Sequence, residues 1–310
     1  YPELASEYKK WHELDVTDEL LNDEDFWKFE KGCATRQASG DVLNKLTSFI
    51  PNLMGGSADL APSNKSDMKN TGFFSKEDRS GQNIHFGVRE HAMAAITNAI
   101  AAHGGLKAYC ATFFVFSDYM KGAMRLSALM KLPVTYVLTH DSIGVGEDGP
   151  THEPVEQLTM LRAMPNFNVF RPCDATETNI GWYMAMTSKE TPTALVLSRQ
   201  NLPDIEGSNK EAIKGGYVID DSIGEPEIIL MASGSEVSLA IEAKKKLGNE
   251  KIRVVSMPCM DIFKQQDSDY KEKVLPRKVT KRVAIEAGSG LSWGEFVGLD
   301  GRYITMDTFG

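Results

Sequence analysis

The sequence predicts an α/β protein made of two doubly wound domains with mostly parallel sheets. Short apolar runs alternate with helix-periodic segments from residue 53 to residue 198. A polar stretch rich in Gly and Pro, 201–215, interrupts the alternation, and a second, shorter alternation runs from Ile228 to Glu286. Strands and helices in this order form βαβ units, whose crossover helices cover both faces of a parallel sheet. The loops at the carboxyl ends of such strands then carry the chemistry.

Taken in order, residues 1–30 are charged and punctuated by Tyr8, Trp11, Phe26, Trp27 and Phe29, with Thr17-Asp18-Glu19-Leu20 resembling a helix start. They are read as a linker segment. From Ala34 to Ile50 the apolar positions Val42, Leu43, Leu46, Phe49 and Ile50 recur at helical spacing, and Pro51 stops the helix. Leu53 to Leu60 reads as a strand entering a loop with Ser63. The pattern then predicts strand 83–86, helix 89–103, strand 106–111, helix 115–130 and strand 133–139. A long loop at 140–153 follows, then helix 154–163, strand 167–171, helix 175–189 and strand 192–198. The domains are therefore 31–200 and 216–310, joined by the linker at 201–215. In the second, Ile228 to Met231, Ile252 to Ser256 and Val283 to Glu286 read as strands. The turn at Ser233-Gly234-Ser235-Glu236 is of the kind whose free amides can hold an anion.

Composition narrows the function. With 42% hydrophobic and 25% charged residues the chain is neither disordered nor fibrous. A net charge of -9 argues against nucleic-acid binding, which needs a basic face. No apolar run is long enough for a membrane helix. The start Tyr1-Pro2-Glu3 has neither a methionine nor a signal-peptide pattern, as expected of a piece of a longer chain. Cys33, Cys110, Cys173 and Cys259 show no metal-ligand spacing, so thiols in a reducing cytoplasm are expected.

Three constellations can carry chemistry. In Phe86-Gly87-Val88-Arg89-Glu90-His91-Ala92-Met93 a strand turns into an alanine-rich helix. Glu90, partly out of water there, suits proton sharing, although it also complements the helix dipole. In Thr112 to Tyr119, the rings of Phe113, Phe116 and Tyr119 recur every three residues, either as core or as the wall of a flat ring. The loop Thr139 to Pro154 packs His140, Asp141, Glu147, Asp148, His152 and Glu153 among glycines directly after a strand. Its histidines can move protons or bind oxygen-rich ligands. Metal is the rival reading, but the loop lacks a compact ligand motif, and no residue is assigned to metal. Arg36 at a helix start and Arg199 at a strand end can face the same crevice and grip a phosphate; either can equally be a surface ion pair.

Together, Gly87 to Met93, Thr112 to Tyr119, His140 to His152 and Leu197-Ser198-Arg199-Gln200-Asn201 resemble the transketolase family, in order and through most of the chain. The resemblance implies a thiamine-diphosphate-dependent transfer of a two-carbon ketol unit from a ketose phosphate to an aldose phosphate. It implies catalytic roles for Glu90, at N1′ of the cofactor's pyrimidine, and for His152. Phe113, Phe116 and Tyr119 would enclose the pyrimidine. Arg36, Ser63, His140 and Arg199 would hold the sugar phosphate, Asp148 and His152 its hydroxyls and carbonyl, and Asp59 would line the channel. The family's Gly-Asp-Gly motif, which holds the diphosphate and a divalent metal (Mg or Ca), has no counterpart here. The resemblance thus implies a homodimer whose amino-terminal domain lies outside this chain, a truncated carboxyl-terminal domain, and inactivity of the chain alone. The alternatives are a 2-oxo acid dehydrogenase β subunit, a deoxyxylulose phosphate synthase, a naturally split enzyme or a non-catalytic assembly module.

Overall fold

The computed structural model describes residues 1–29 and 32–309. The expected boundary between residues 30 and 31, and residue 310, lie outside the described residues. Helices α1 (Pro2–His12) and α2 (Thr17–Asn22) come first. They are followed by α3 (Thr35–Phe49), β1 (Leu53–Ser57), α4 (Ala61–Asn64), β2 (Asn83–His85), α5 (Glu90–His103) and β3 (Lys107–Phe113). The first sheet is completed by α6 (Ser117–Leu129), β4 (Thr135–Thr139), α7 (Gln157–Arg162), β5 (Asn168–Phe170), α8 (Ala175–Thr187) and β6 (Thr193–Leu197). Its order is β2-β1-β3-β4-β6-β5, with every neighbouring pair parallel.

Burial follows from the pleat. β4 and β6 are buried along their whole length, as strands covered on both faces must be. Alternate residues feed opposite layers. Tyr109, Val137 and Leu195 pack with α3 and α8 through Leu46, Ile180 and Trp182. Cys110, Leu138 and Val196 pack with α5, α6 and α7 through Met93, Met124 and Leu161. α3 stops where the sequence says it must: Ile50, the residue before Pro51, leaves helical geometry at φ -123 and ψ 80.

The second unit contains β7 (Tyr217–Asp220), β8 (Ile228–Ala232), α9 (Glu236–Leu247), β9 (Ile252–Ser256), α10 (Met260–Lys264), α11 (Ser268–Val274), β10 (Arg282–Ile285), α12 (Gly294–Val297) and β11 (Arg302–Ile304). Its order is β11-β10-β8-β9-β7, parallel except for the β7–β9 pair. One apolar cluster runs from Val42 and Phe170 through Tyr217 and Leu230 to Ile252, so the two sheets share a core. No helix among the described residues is long and apolar enough to cross a membrane.

Several local expectations are corrected. The stretch read as a linker at 1–30 is folded where it is described: Val16, Leu20 and Phe26 are buried, and Trp27 Nε1 donates to Leu20 O at 3.0 Å. Two strands, β7 and β11, were not anticipated. β7 is only four residues long and has a register shift, and β11 is three residues exposed throughout, so each is too short a run to stand out. α7 begins at Gln157, because Val155 N–H is taken by the Gln157 side chain at 3.0 Å and Val155 O by Ser289. The Gly234 turn packs against a buried arginine. A Cβ there would lie 2.7 Å from the guanidinium carbon of Arg171, which fills the space.

Candidate active site

Because every pair in the first sheet is parallel, β1, β2, β3, β4 and β6 end on one side. They deliver Asp59 and Ser63, Glu90, Phe113, His140 and Arg199 respectively to that side. Arg36 joins them through a reciprocal pair of bonds that docks the start of α3 on the end of β6. Ser198 N–H donates to Thr35 Oγ1 at 2.7 Å, and Thr35 N–H donates to Ser198 Oγ at 3.0 Å.

His140 is the centre of the cluster. Its φ of 64 lies in the left-handed region that non-glycine residues seldom occupy, a form of strain that persists only where the surroundings impose it. A polar relay fixes the ring. Ser57 Oγ donates to Ala111 O at 3.1 Å and so accepts from Asn64 Nδ2 at 2.9 Å. Asn64 Oδ1 then accepts from Thr139 Oγ1 at 2.8 Å. Having spent its only proton, the Thr139 hydroxyl must accept from His140 Nδ1 at 2.8 Å. Nε2 is left with a lone pair, which receives Arg36 Nη1 at 3.4 Å. Burial first, then the charges of Arg36 and Arg199, hold the His140 pKa down to about 4, and Asp148 opposes them only in part. The ring is therefore neutral and presents an acceptor.

Arg36 also donates to the backbone carbonyl of Ser63 at 2.9 Å, so the contact runs to the Ser63 main chain and not to its hydroxyl. No carboxylate pairs with Arg36 among the described residues, and both burial and Arg199 work against its charge. Among the described residues, Arg199 pairs with the exposed Glu147, at 3.3 Å. Asp148 is exposed and His152 half-buried, with His152 Nδ1 2.9 Å from Thr151 Oγ1.

The aromatic residues stack as their spacing predicts, but on three different elements. Phe113 ends β3, Phe116 lies in a 3-10 turn (Phe114–Phe116), and Tyr119 is in α6. The threefold repeat of a 3-10 turn keeps residues i and i+3 on one side. Ring centroids are 5.9 Å apart for Phe113 and Phe116 and 6.1 Å for Phe116 and Tyr119. The wall joins the polar cluster at two of its rings: Phe113 lies 3.7 Å from the His140 ring, and Phe116 meets His152 edge-on at 5.5 Å. α5 runs beside α6, with Asn98 Nδ2 donating to Ala123 O at 2.8 Å and the His91 ring packed over Gly122. The start of α5 thus places Glu90 half-buried near the wall, with no hydrogen bond among the described residues.

These residues fit a flat, nitrogen-bearing aromatic ring: stacked rings for its faces and an unengaged carboxylate for its edge. They do not fit a metal diphosphate, for no group of three His, Cys, Asp or Glu is placed to hold a metal ion among the described residues. Sequence reasoning missed Ser57, Asn64 and Thr139, because Thr139 lies far along the chain from the other two and none signals anything singly.

A doubly wound sheet that gathers Arg36, His140 and Arg199 beside an aromatic wall at its carboxyl edge defines an α/β protein with its candidate site at the strand ends. The family comparisons are more specific. Residues 31–205 match the transketolase pyrimidine-binding domain, and residues 215–310 match the transketolase-like C-terminal domain. The chain belongs to the transketolase family. It is 54% identical over 316 residues to a probable transketolase of Streptococcus pneumoniae, covering 100% of this chain and 48% of that protein. It is also 54% identical over 321 residues to the transketolase of Bacillus subtilis, with the same coverage. The structure of transketolase from Leishmania mexicana superposes with a TM-score of 0.93 at 43% identity, over 100% of this chain and 46% of that one. The chain thus spans about half the length of the relatives it matches.

Proposed function

We infer that this chain supplies the pyrimidine-facing and substrate-facing half of a transketolase site. The completed enzyme transfers a two-carbon ketol unit from a ketose phosphate to an aldose phosphate in the cytoplasm. The observation that carries this reading is the convergence of Arg36, His140 and Arg199 beside the Phe113–Phe116–Tyr119 wall at one edge of the sheet.

Thiamine diphosphate, when bound, supplies the group that breaks and re-forms the bond to the two-carbon unit. The chain's own residues do the rest. Phe113, Phe116 and Tyr119 hold the pyrimidine ring, and Glu90 holds the proton at its edge nitrogen. Arg36 and Arg199 supply positive charge for the substrate phosphate; each such bond contributes about 1.5–3 kcal/mol. His140 accepts from a substrate hydroxyl at Nε2, the backbone around Ser63 and Asp59 lines the channel, and Asp148 and His152 meet the hydroxyls and carbonyl near the reacting carbon. A divalent ion, Mg or Ca, and the diphosphate are held by an amino-terminal domain outside this chain.

The active species is a homodimer in which that domain of one subunit faces this half of the other. The large apolar side chains exposed on α5 and α6, Ile96, Tyr119, Leu126 and Leu129, support an interface there. The test is a ketol-transfer assay with cofactor and magnesium, run with and without a separately expressed amino-terminal half. Activity only on complementation is expected; turnover by this chain alone would contradict the half-site reading.

A further inference from the structure

Both ends of the loop that carries His140, Asp148 and His152 are tied to the second sheet's domain. At the start, Asp141 Oδ2 accepts from Arg171 Nε at 2.9 Å. The same guanidinium reaches Ser233 O at 2.8 Å and Glu236 Oε2 at 2.5 Å. The Arg171 backbone is held too: its N–H donates to Pro258 O at 2.8 Å, and its carbonyl accepts from Gly234 N–H at 3.1 Å. At the loop's end, Ser289 N–H donates to Val155 O at 2.8 Å, and Thr159 Oγ1 donates to Ser289 O at 3.2 Å. Glu236 Oε2 joins the two ends, since it also accepts from Ala287 N–H at 2.9 Å.

The first tie ends one residue from His140. On its amino-terminal side His140 is anchored by β4 and the Thr139 relay. On the other side Asp141 is buried, and Arg171 is its side chain's partner; its second oxygen, Oδ1, has none among the described residues. A histidine at positive φ persists only while both flanks are fixed.

We propose that the carboxyl-terminal domain is the frame of the substrate loop, and that Arg171 and Glu236 are positioning residues that hold His140 through Asp141. The proposal rests on reading His140 as substrate-facing. It gives a role to a domain in which the sequence shows no catalytic cluster.

The test compares Glu236→Ala and Glu236→Gln in this chain, following the ring nitrogens of His140 by long-range 15N NMR, with the signals assigned from His140→Gln. Glu236→Gln keeps an acceptor oxygen for Arg171 and Ala287. The parent is expected to show one tautomer, protonated at Nδ1. Glu236→Ala should shift or average those signals, and Glu236→Gln should restore them. In the enzyme completed by an amino-terminal half, Glu236→Ala should raise KM for the phosphorylated substrate about tenfold with kcat changed less than about threefold. If Glu236→Ala does not fold, Glu236→Asp, which shortens the reach, carries the same readout. A lowered melting temperature with unchanged His140 ring signals would overturn the proposal, because that is what cohesion alone predicts. If the completed parent enzyme transfers no ketol unit, the functional reading fails; the ring signals of this chain still decide the coupling.

Discussion

At the end of β4 two arginine clusters stand back to back, separated by a single peptide bond. Arg36 and Arg199 surround His140; Arg162 and Arg171 lie behind Asp141. The first pair has little anionic company: Arg36 has no carboxylate partner among the described residues, and Arg199 reaches an exposed glutamate. The second pair is enclosed with Asp141, Glu236 and Glu286. Arg162 forms two bonds to Glu286, at 2.6 and 2.9 Å, and Arg171 is 0% exposed. Burial opposes the charge of Arg171, but Glu236, Asp141 and Glu286 outweigh it. A cation without a buried anion is poised for a ligand, whereas a cation fully matched inside the protein is a joint. The type of residue is the same, and the pairing sets its use.

Arg171→Met should have the largest effect on stability, since three carboxylates lose their shared partner. Breaking a buried pair in this way costs about 3–5 kcal/mol, measurable by urea unfolding. Arg199→Met should stay within about 1 kcal/mol, as for an exposed pair. Equal losses would erase the comparison.

Arg36→Ala should leave folding nearly intact and weaken substrate phosphate binding by about 1.5–3 kcal/mol, seen in the completed enzyme as a higher KM with kcat little changed. Thr139→Val leaves His140 Nδ1–H without an acceptor and Asn64 Oδ1 without a donor, at a cost of about 1–3 kcal/mol in unfolding experiments. Thr139→Ser should recover most of it, and no recovery would mean that the methyl packing mattered more than the relay.

A further effect is a pH dependence. His140 is held at about 4 in the folded chain against 6.5 for an ordinary histidine, with Arg36, Arg199, Asp148 and His152 as its ionisable neighbours. Between those values the unfolded chain binds the extra proton, so stability falls as pH drops from about 6.5 through about 4. Urea midpoints of the parent and His140→Gln at both ends of this window check it; His140→Gln should lose less. Identical losses would show that His140 does not carry the effect.

The alternation of strands and helices was legible because a sheet covered on both faces needs continuous apolar runs such as Tyr136-Val137-Leu138. The loop after β4 stood out as a candidate site as well, since Asp148 and His152 among glycines suit no core. The joint was not legible. Arg171, after Phe170, resembles a surface arginine, and nothing local says that Asp141, Glu236 and Glu286 will close around it. The relay was hidden for a similar reason: only the strand order β1-β3-β4 brings Ser57 and Asn64 to Thr139. The short strands β7 and β11 were missed because runs of four and three residues carry almost no signal.

The most direct measurement is ketol transfer by the completed enzyme with Glu90→Ala beside the parent, both shown to bind the amino-terminal half equally. The half-site account predicts robust transfer by the parent and loss of nearly all turnover in Glu90→Ala. Undiminished turnover in the variant would contradict it.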